Sequence, residues 1–403
     1  MRIVSLLMAM LVSTAACAQV DIQTFERYQK LSQFLERDDI DIQAFERFHH
    51  NHLGDNKETL ELTKSLYLQA CLKLEKLKCA LNRTNELLEL TENSANQEQL
   101  LRLAVQLNYQ NGRHLDVLSR FNEWNLNRAS LSSTEQSKLP NTLQAEVYTL
   151  AAHSAYQIEK WLASVEAIKT AIEFNPTKQR YQLLLASYQR LSEYEKERET
   201  LLKVTRLYPN EVKFWARLAQ SSLYFKQPAR AIAALSVVRE LNQLTEPQRI
   251  LLAQLQLTKG APASAYQTLN EHRPSAQYQG KFNKLKLHAL LKSRQREQAL
   301  QLLNLLPSDT QLATKIQLSY NEQEWDKAIA LLDQQIKQQP GNPRWKLLKA
   351  IAHFELSQYE QAKPILTTLV GGKLDRSAQQ WLTQIKYLTP PKSTLDNLSV
   401  NLQ

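Results

Sequence analysis

Glycine is nearly missing from this chain, with seven in 403 residues. That scarcity leaves no G-x-G-x-x-G and no G-x-x-x-x-G-K-[ST], so a dedicated nucleotide-phosphate cradle is not expected. It also removes the turn glycines that a strand-rich fold needs, and β-branched runs are missing too. No H-E-x-x-H, no C-x-x-C and no G-x-S-x-G occurs, so zinc-protease, thiol-redox and serine-hydrolase chemistry lack their residues. Past the N-terminus no run of 18 apolar residues is present to span a bilayer. What is abundant is Leu, Gln, Ala, Lys and Glu, in a chain 43% apolar and 22% charged. That balance is globular, and its composition predicts an all-α protein.

The formal net charge is +10, unevenly placed: −4 over residues 1–100 and +14 over residues 101–403. A basic body attracts nucleic acid, anionic lipid, acidic peptide or carboxylate-rich polymer, and location selects among them. Met1-Arg2, the apolar stretch from Ile3 to Val12 and the Ala16-Cys17-Ala18 site before Gln19 read as a secretory signal peptide over residues 1–18. The expected destination is the periplasm of a Gram-negative envelope, which takes chromosomal DNA and cytosolic RNA out of reach. A second reading makes Cys17 an acylated lipoprotein cysteine after Ala15-Ala16, although Thr14 stands where an aliphatic residue is usual.

Self-similarity organises the rest. A-x-x-x-L recurs at Ala231/Leu235, Ala265/Leu269 and Ala299/Leu303, and again at Ala328/Leu332 and Ala362/Leu366. The steps are 34 residues with one of 29, and counting back reaches Glu197/Leu201 and Ala163. Twelve positions before the anchors stand Ala151, Leu185, Ala219, Ala253, Leu287, Ile316 and Ala350. Twelve after stand Pro209 and Pro340, with Pro176 one residue off. Two antiparallel helices cross closely where each offers a small residue, and a proline stops the second helix before the next pair. On these residues, about 141–375 resembles the tetratricopeptide repeat family. The resemblance implies a right-handed superhelical α-solenoid of antiparallel helical hairpins whose first helices build a concave face. Glu197 at a normally small position and a short first helix around Ile316 are expected to pack irregularly.

Residues 19–140 read as irregular helical hairpins. Asp21-Ile22-Gln23-Thr24-Phe25-Glu26-Arg27-Tyr28 nearly repeats at Asp41-Ile42-Gln43-Ala44-Phe45-Glu46-Arg47-Phe48, with Asp capping each helix. The pair reads as two short helices capping the solenoid, or as a docking or dimerisation element. Hairpins are expected at 57–92 and 97–125, a connecting loop at 126–141, a closing helix at 376–389 and a flexible tail at 390–403. Cys71 and Cys79 would lie about 12 Å apart along one helix, too far to bond. They face each other if the chain turns near residues 73–76, and their spacing resembles the stapled hairpins of the Sel1-like repeat family. In an oxidising compartment the even pair favours a structural Cys71–Cys79 disulfide over two free thiols. His49, His50 and His52 lie beside Asp55, without the second ligand group a metal site needs; no metal or cofactor is expected. A separate catalytic domain has no room beyond the repeats, so no enzymatic activity is expected.

In a tetratricopeptide hairpin, concave first-helix residues lie 18, 15, 11, 8 and 7 positions before the anchor. That rule gives Gln182 and Arg190; Lys213, Gln220 and Tyr224; Lys281, Lys284, His288, Leu291 and Lys292; Tyr320; and Arg344 with Phe354. Amines, amides and a few aromatics suit an extended acidic peptide. The signal peptide, Glu324-Trp325-Asp326-Lys327-Ala328-Ile329 and the closing Trp381…Tyr387-Leu388 helix are similar to the periplasmic repeat proteins that accompany TonB–ExbB–ExbD systems. That resemblance implies an adaptor in TonB-dependent uptake of iron complexes, with protein partners and no catalysis. The alternative is a cell-wall or outer-membrane assembly factor that binds peptidoglycan or an outer-membrane machine.

Overall fold

The computed structural model describes residues 20–36, 39–304, 306 and 308–389. Residues 1–19, with the expected signal segment and Cys17, and residues 390–403, with the expected tail, lie outside them. The described residues form twenty-two α-helices and no strand. None of these helices is long and apolar enough to cross a membrane. The fold is a succession of antiparallel helical hairpins, divided into two compact units, Met1–Gln227 and Pro228–Gln403.

In the first unit α1 (Ile22–Phe34) and α2 (Ile42–His50) precede four hairpins. These are α3/α4 (Lys57–Lys73, Leu77–Leu90), α5/α6 (Ser94–Gln110, His114–Ser130), α8/α9 (Asn141–Gln157, Trp161–Phe174) and α10/α11 (Lys178–Arg190, Tyr194–Leu207). A short α7 (Ser133–Lys138) separates the second from the third, and α12 (Val212–Tyr224) follows the fourth. In the second unit α13 (Pro228–Glu240) precedes α14/α15 (Glu246–Thr258, Pro262–Asn270) and α16/α17 (Ala276–Lys292, Arg296–Leu303). Then come α18/α19 (Ser308–Asn321, Trp325–Gln338), α20/α21 (Pro343–Glu355, Tyr359–Thr367) and α22 (Asp375–Leu388).

One turn is used throughout. Glu75, Gly112, Glu159, Ser192, Lys226, Gly260, Arg294, Gln323 and Ser357 all have φ between 54° and 77°, each two residues before the next helix. The following N–H donates to the carbonyl five residues back, at 2.8–2.9 Å, as in Lys76 to Cys71 and Gln358 to His353. This left-handed stop satisfies the last carbonyls of the first helix. Only two of the nine positions are glycine, so seven side chains sit in a conformation that disfavours them. Ser192→Gly should therefore stabilise the α10/α11 hairpin by about 0.5–1 kcal/mol, read as a rise in urea midpoint without a change in slope.

The fourth residue of each second helix is the buried crossing point. Ala80, Val117, Ala265, Ala299, Ala328 and Ala362 are 0% exposed. In α9 this position belongs to Ser164 and not to Ala163. Ser164 Oγ lies 3.0 Å from Ser187 Oγ of α10, and Pro176 then falls twelve residues on, in register with Pro209 and Pro340. The 29-residue step comes from α17, eight residues long where α19 has fourteen, while α18 keeps fourteen. Residues 57–130 use the same turn and crossing as the 34-residue repeats. The segment 126–141 is a helix end plus α7, whose capping box pairs Ser132 with Glu135.

Cys71 and Cys79 form a disulfide across the α3/α4 turn, with Cα atoms 5.7 Å apart. The near-duplicate helices have different fates. In α2, Phe45 and Phe48 enter the core beside Leu66 and Leu68, while in α1 Ile22 stays exposed and Phe25 is half-buried. In the second unit α22 covers the last hairpin through Ile385 and Ala378, and the Trp381 ring lies 4.8 Å from Phe354.

Candidate protein-binding surface

The expected binding residues fall into separate groups. In the first unit Lys213, Gln220 and Tyr224 of α12 line one open cleft of about 440 Å³ with Gln189, Tyr194 and Arg217. Tyr224 is largely exposed, and its ring lies 4.6 Å from Tyr194. Glu197, at the buried crossing position of α11, closes the floor of the cleft. Its carboxylate accepts from Arg217 Nε at 2.5 Å. Arg217 also donates to the Leu185 carbonyl at 2.8 Å and to Gln189 Oε1 at 3.1 Å. The acid at a normally small position is thus a cation-paired group that builds the cleft. Gln182 is half-buried on α10. Arg190 is exposed, 5.4 Å above the Trp161 ring and 3.4 Å from the Tyr156 hydroxyl oxygen.

In the second unit Lys281, Lys284, His288 and Lys292 are all exposed along α16. Their spacing of three, four and four residues puts them on one helix face. The helix contains no acidic residue, so nothing on it neutralises the row. Lys281 lies 5.9 Å from the Tyr278 ring centroid, and Leu291 is half-buried beside the row. Lys286, off this face, donates to Asn270 at 3.2 Å, and burial lowers its pKa. Tyr320 is occupied elsewhere: its hydroxyl donates to the Leu348 carbonyl, and burial pushes its pKa up. Arg344 is exposed at the start of α20, 5.8 Å from the Trp345 ring, while Phe354 packs between Tyr359 and Trp381.

The three clustered histidines do not converge. His49 is buried, with Nδ1 sharing a hydrogen bond with the Thr63 hydroxyl at 3.3 Å. His52 donates from Nδ1 to the Phe48 carbonyl at 2.7 Å and meets Thr24 Oγ1 at 3.1 Å through its other nitrogen. His50 is exposed. Among the described residues no group of three or more His, Cys, Asp or Glu is placed to hold a metal ion. Burial, reinforced by Arg83 and Lys64, lowers the His49 pKa from 6.5 to about 4. Between those values the unfolded chain binds a proton that the folded chain refuses, so stability falls as pH drops from 6.5 to 4 and levels off below. The loss should reach about 3 kcal/mol, at about 1.4 kcal/mol per pH unit. Denaturant titrations at pH 7 and pH 4.5 measure it, and His49→Phe should flatten the difference.

The repeat rule missed Arg217, Gln189 and Tyr194. The signal for Arg217 was Glu197 itself, because a carboxylate at a packed crossing needs a cation within reach.

No curated protein matches the chain. Among solved structures it is similar to a tetratricopeptide repeat protein from Parabacteroides merdae, at 12% identity over 66% of this chain and 99% of that one, with a TM-score of 0.35. It is similar to MamA from Desulfovibrio magneticus, at 17% identity over 48% of this chain and 99% of that one, with a TM-score of 0.36. It is also similar to YrrB, described as a TPR protein with an unusual peptide-binding site, at 12% identity over 54% of this chain and 100% of that one, TM-score 0.37. Residues 320–385, from the end of α18 into α22, match the tetratricopeptide repeat family model.

Proposed function

We propose that the chain is a non-enzymatic protein-binding scaffold of the tetratricopeptide type, exported to the periplasm, whose first-helix faces take extended acidic segments of envelope proteins. The observation that carries this reading is the row Lys281, Lys284, His288 and Lys292 on a helix without a single acid. Such a row speeds encounter with an acidic segment and makes binding salt-sensitive. The cleft at Lys213, Gln220 and Tyr224 supplies amides and an exposed ring for the same kind of ligand. The narrower reading, support of TonB-dependent uptake, rests on the sequence resemblance. It implies protein partners in that system, and a neighbouring TonB or ExbD gene would favour it.

A fluorescent Asp/Glu-rich peptide titrated against the mature chain tests the charge reading. Lys281→Glu with Lys284→Glu should weaken binding about tenfold, mostly through a slower on-rate, and reduce its salt dependence. The fold should survive, since solvent-facing changes usually cost under about 0.5 kcal/mol. Unchanged affinity and salt dependence in the folded double variant would overturn the lysine face as the site. Intact-mass measurement separates a chain starting at Gln19 from one starting at acylated Cys17, and the latter result would favour the outer-membrane assembly alternative.

A further inference from the structure

The largest break in the repeat is the stretch between Val117 and Ser164, 47 positions where 34 is the rule. The extra residues form the end of α6, α7 and the approach to α8, and they wall a cleft of about 240 Å³ against the start of α5. Three cations line it: Arg102 from α5, Arg128 from α6 and Lys138 from α7. Its two carboxylates are already engaged. Glu98 accepts from the buried Trp124 Nε1 at 2.7 Å, with Arg102 Nε no nearer than 3.7 Å. Glu135 accepts from the Ser132 backbone and hydroxyl in the capping box.

The guanidinium groups are held in place but not satisfied. Arg128 donates to the Gln136 carbonyl at 3.0 Å and lies 5.6 Å from the Trp124 ring. Arg102 has a side chain only 12% exposed. Each nevertheless keeps a buried nitrogen, Arg102 Nε and Arg128 Nη1, with no hydrogen-bond acceptor. Lys138 is exposed at the rim and makes no ion pair among the described residues. Pro140 and Leu143 at the start of α8 line the cleft, and no side chain caps that helix, so its positive end adds to the same field. Ala95, Leu131 and Leu139 give the wall an apolar part, and Gln99 adds an amide beside it.

We propose that this cleft is a carboxylate-binding site, taking an anionic head on a short apolar stem. Guanidinium groups match carboxylate geometry in forked hydrogen bonds, and the apolar wall accommodates the stem. The volume suits a small organic acid or the last residue of a peptide, not a folded partner. The site is independent of the α16 lysine row, so either can fail without the other.

Calorimetric titration of the mature chain at low salt tests it with two probes, hexanoate and acetyl-Ala-Ala-Leu, the peptide in free-acid and amidated forms. Binding of hexanoate identifies a free acid as a sufficient ligand. Binding of the free-acid peptide alone identifies a peptide C-terminus. In either case Lys138→Gln should weaken binding about threefold and Arg102→Gln about tenfold or more. Lys138 is exposed, so its variant remains informative if Arg102→Gln unfolds. No heat with any probe at millimolar concentration overturns the proposal. So does equal binding of the amidated peptide, or wild-type affinity in folded Lys138→Gln and Arg102→Gln.

Discussion

Replacing Trp124 by alanine should cost about 3–5 kcal/mol, the largest loss expected from any single truncation in the first unit. The indole is 0% exposed, and its ring packs within 5.6 Å of Tyr148 and 6.1 Å of Phe121. Truncation leaves a cavity and also strips Glu98 of its indole donor, leaving a buried carboxylate with one imperfect cation. Trp124→Phe keeps most of the volume but not the donor, so a loss of about 1–2 kcal/mol isolates the hydrogen-bond part. Urea titration gives the totals. Hydrogen exchange should place the damage in α5, α6 and α8 while the second unit keeps its protection, because hairpin stacks are stabilised locally. A uniform loss of protection along the chain would contradict that expectation.

Arg217→Ala is the second large effect, about 2–4 kcal/mol, because Glu197 stays buried with its charge uncompensated. Glu197→Ala should behave differently. It restores the alanine found at most of the other crossing points, and Arg217, about a quarter exposed, can turn toward water. A cost under about 1 kcal/mol is expected for it, and for the double variant. The cycle should therefore show coupling of about 2 kcal/mol or more between the two residues. Additive single effects would mean that the Leu185 carbonyl and Gln189, not Glu197, are what Arg217 serves.

How much of this was readable from sequence depends on which force set each feature. Crossing points are packed shut, so small residues recur at fixed spacing and announce the hairpins. Register is less secure where two small residues adjoin. Ala163 and Ser164 both fit a crossing, and Pro176 is the local mark that favours Ser164. Ser132 and Glu135 formed a legible capping box, hidden by a polar run that also reads as loop. The fates of the two Asp-Ile-Gln copies were not legible at all, since burial of Phe45 and exposure of Ile22 depend on the groove each helix meets. Nor was the occupation of Tyr320 by the Leu348 carbonyl, a tertiary contact that no spacing rule encodes. The exposed lysines of α16 were legible because the tetratricopeptide resemblance counts them back from the Ala299 anchor.

The repeated left-handed turn bears on how such a chain changes length. Because the turn needs no particular residue, and the crossing point always falls on the fourth position of the following helix, every hairpin offers its neighbours the same joint. A cut before Ala265 rejoined at Ala299 would put one buried alanine where another stood, three residues after an unchanged helix start. Chains of this construction can lose or gain whole 34-residue modules by recombination without inventing a new junction. The insertion that carries α7 is then the kind of event that adds a pocket to such a series without resetting its count.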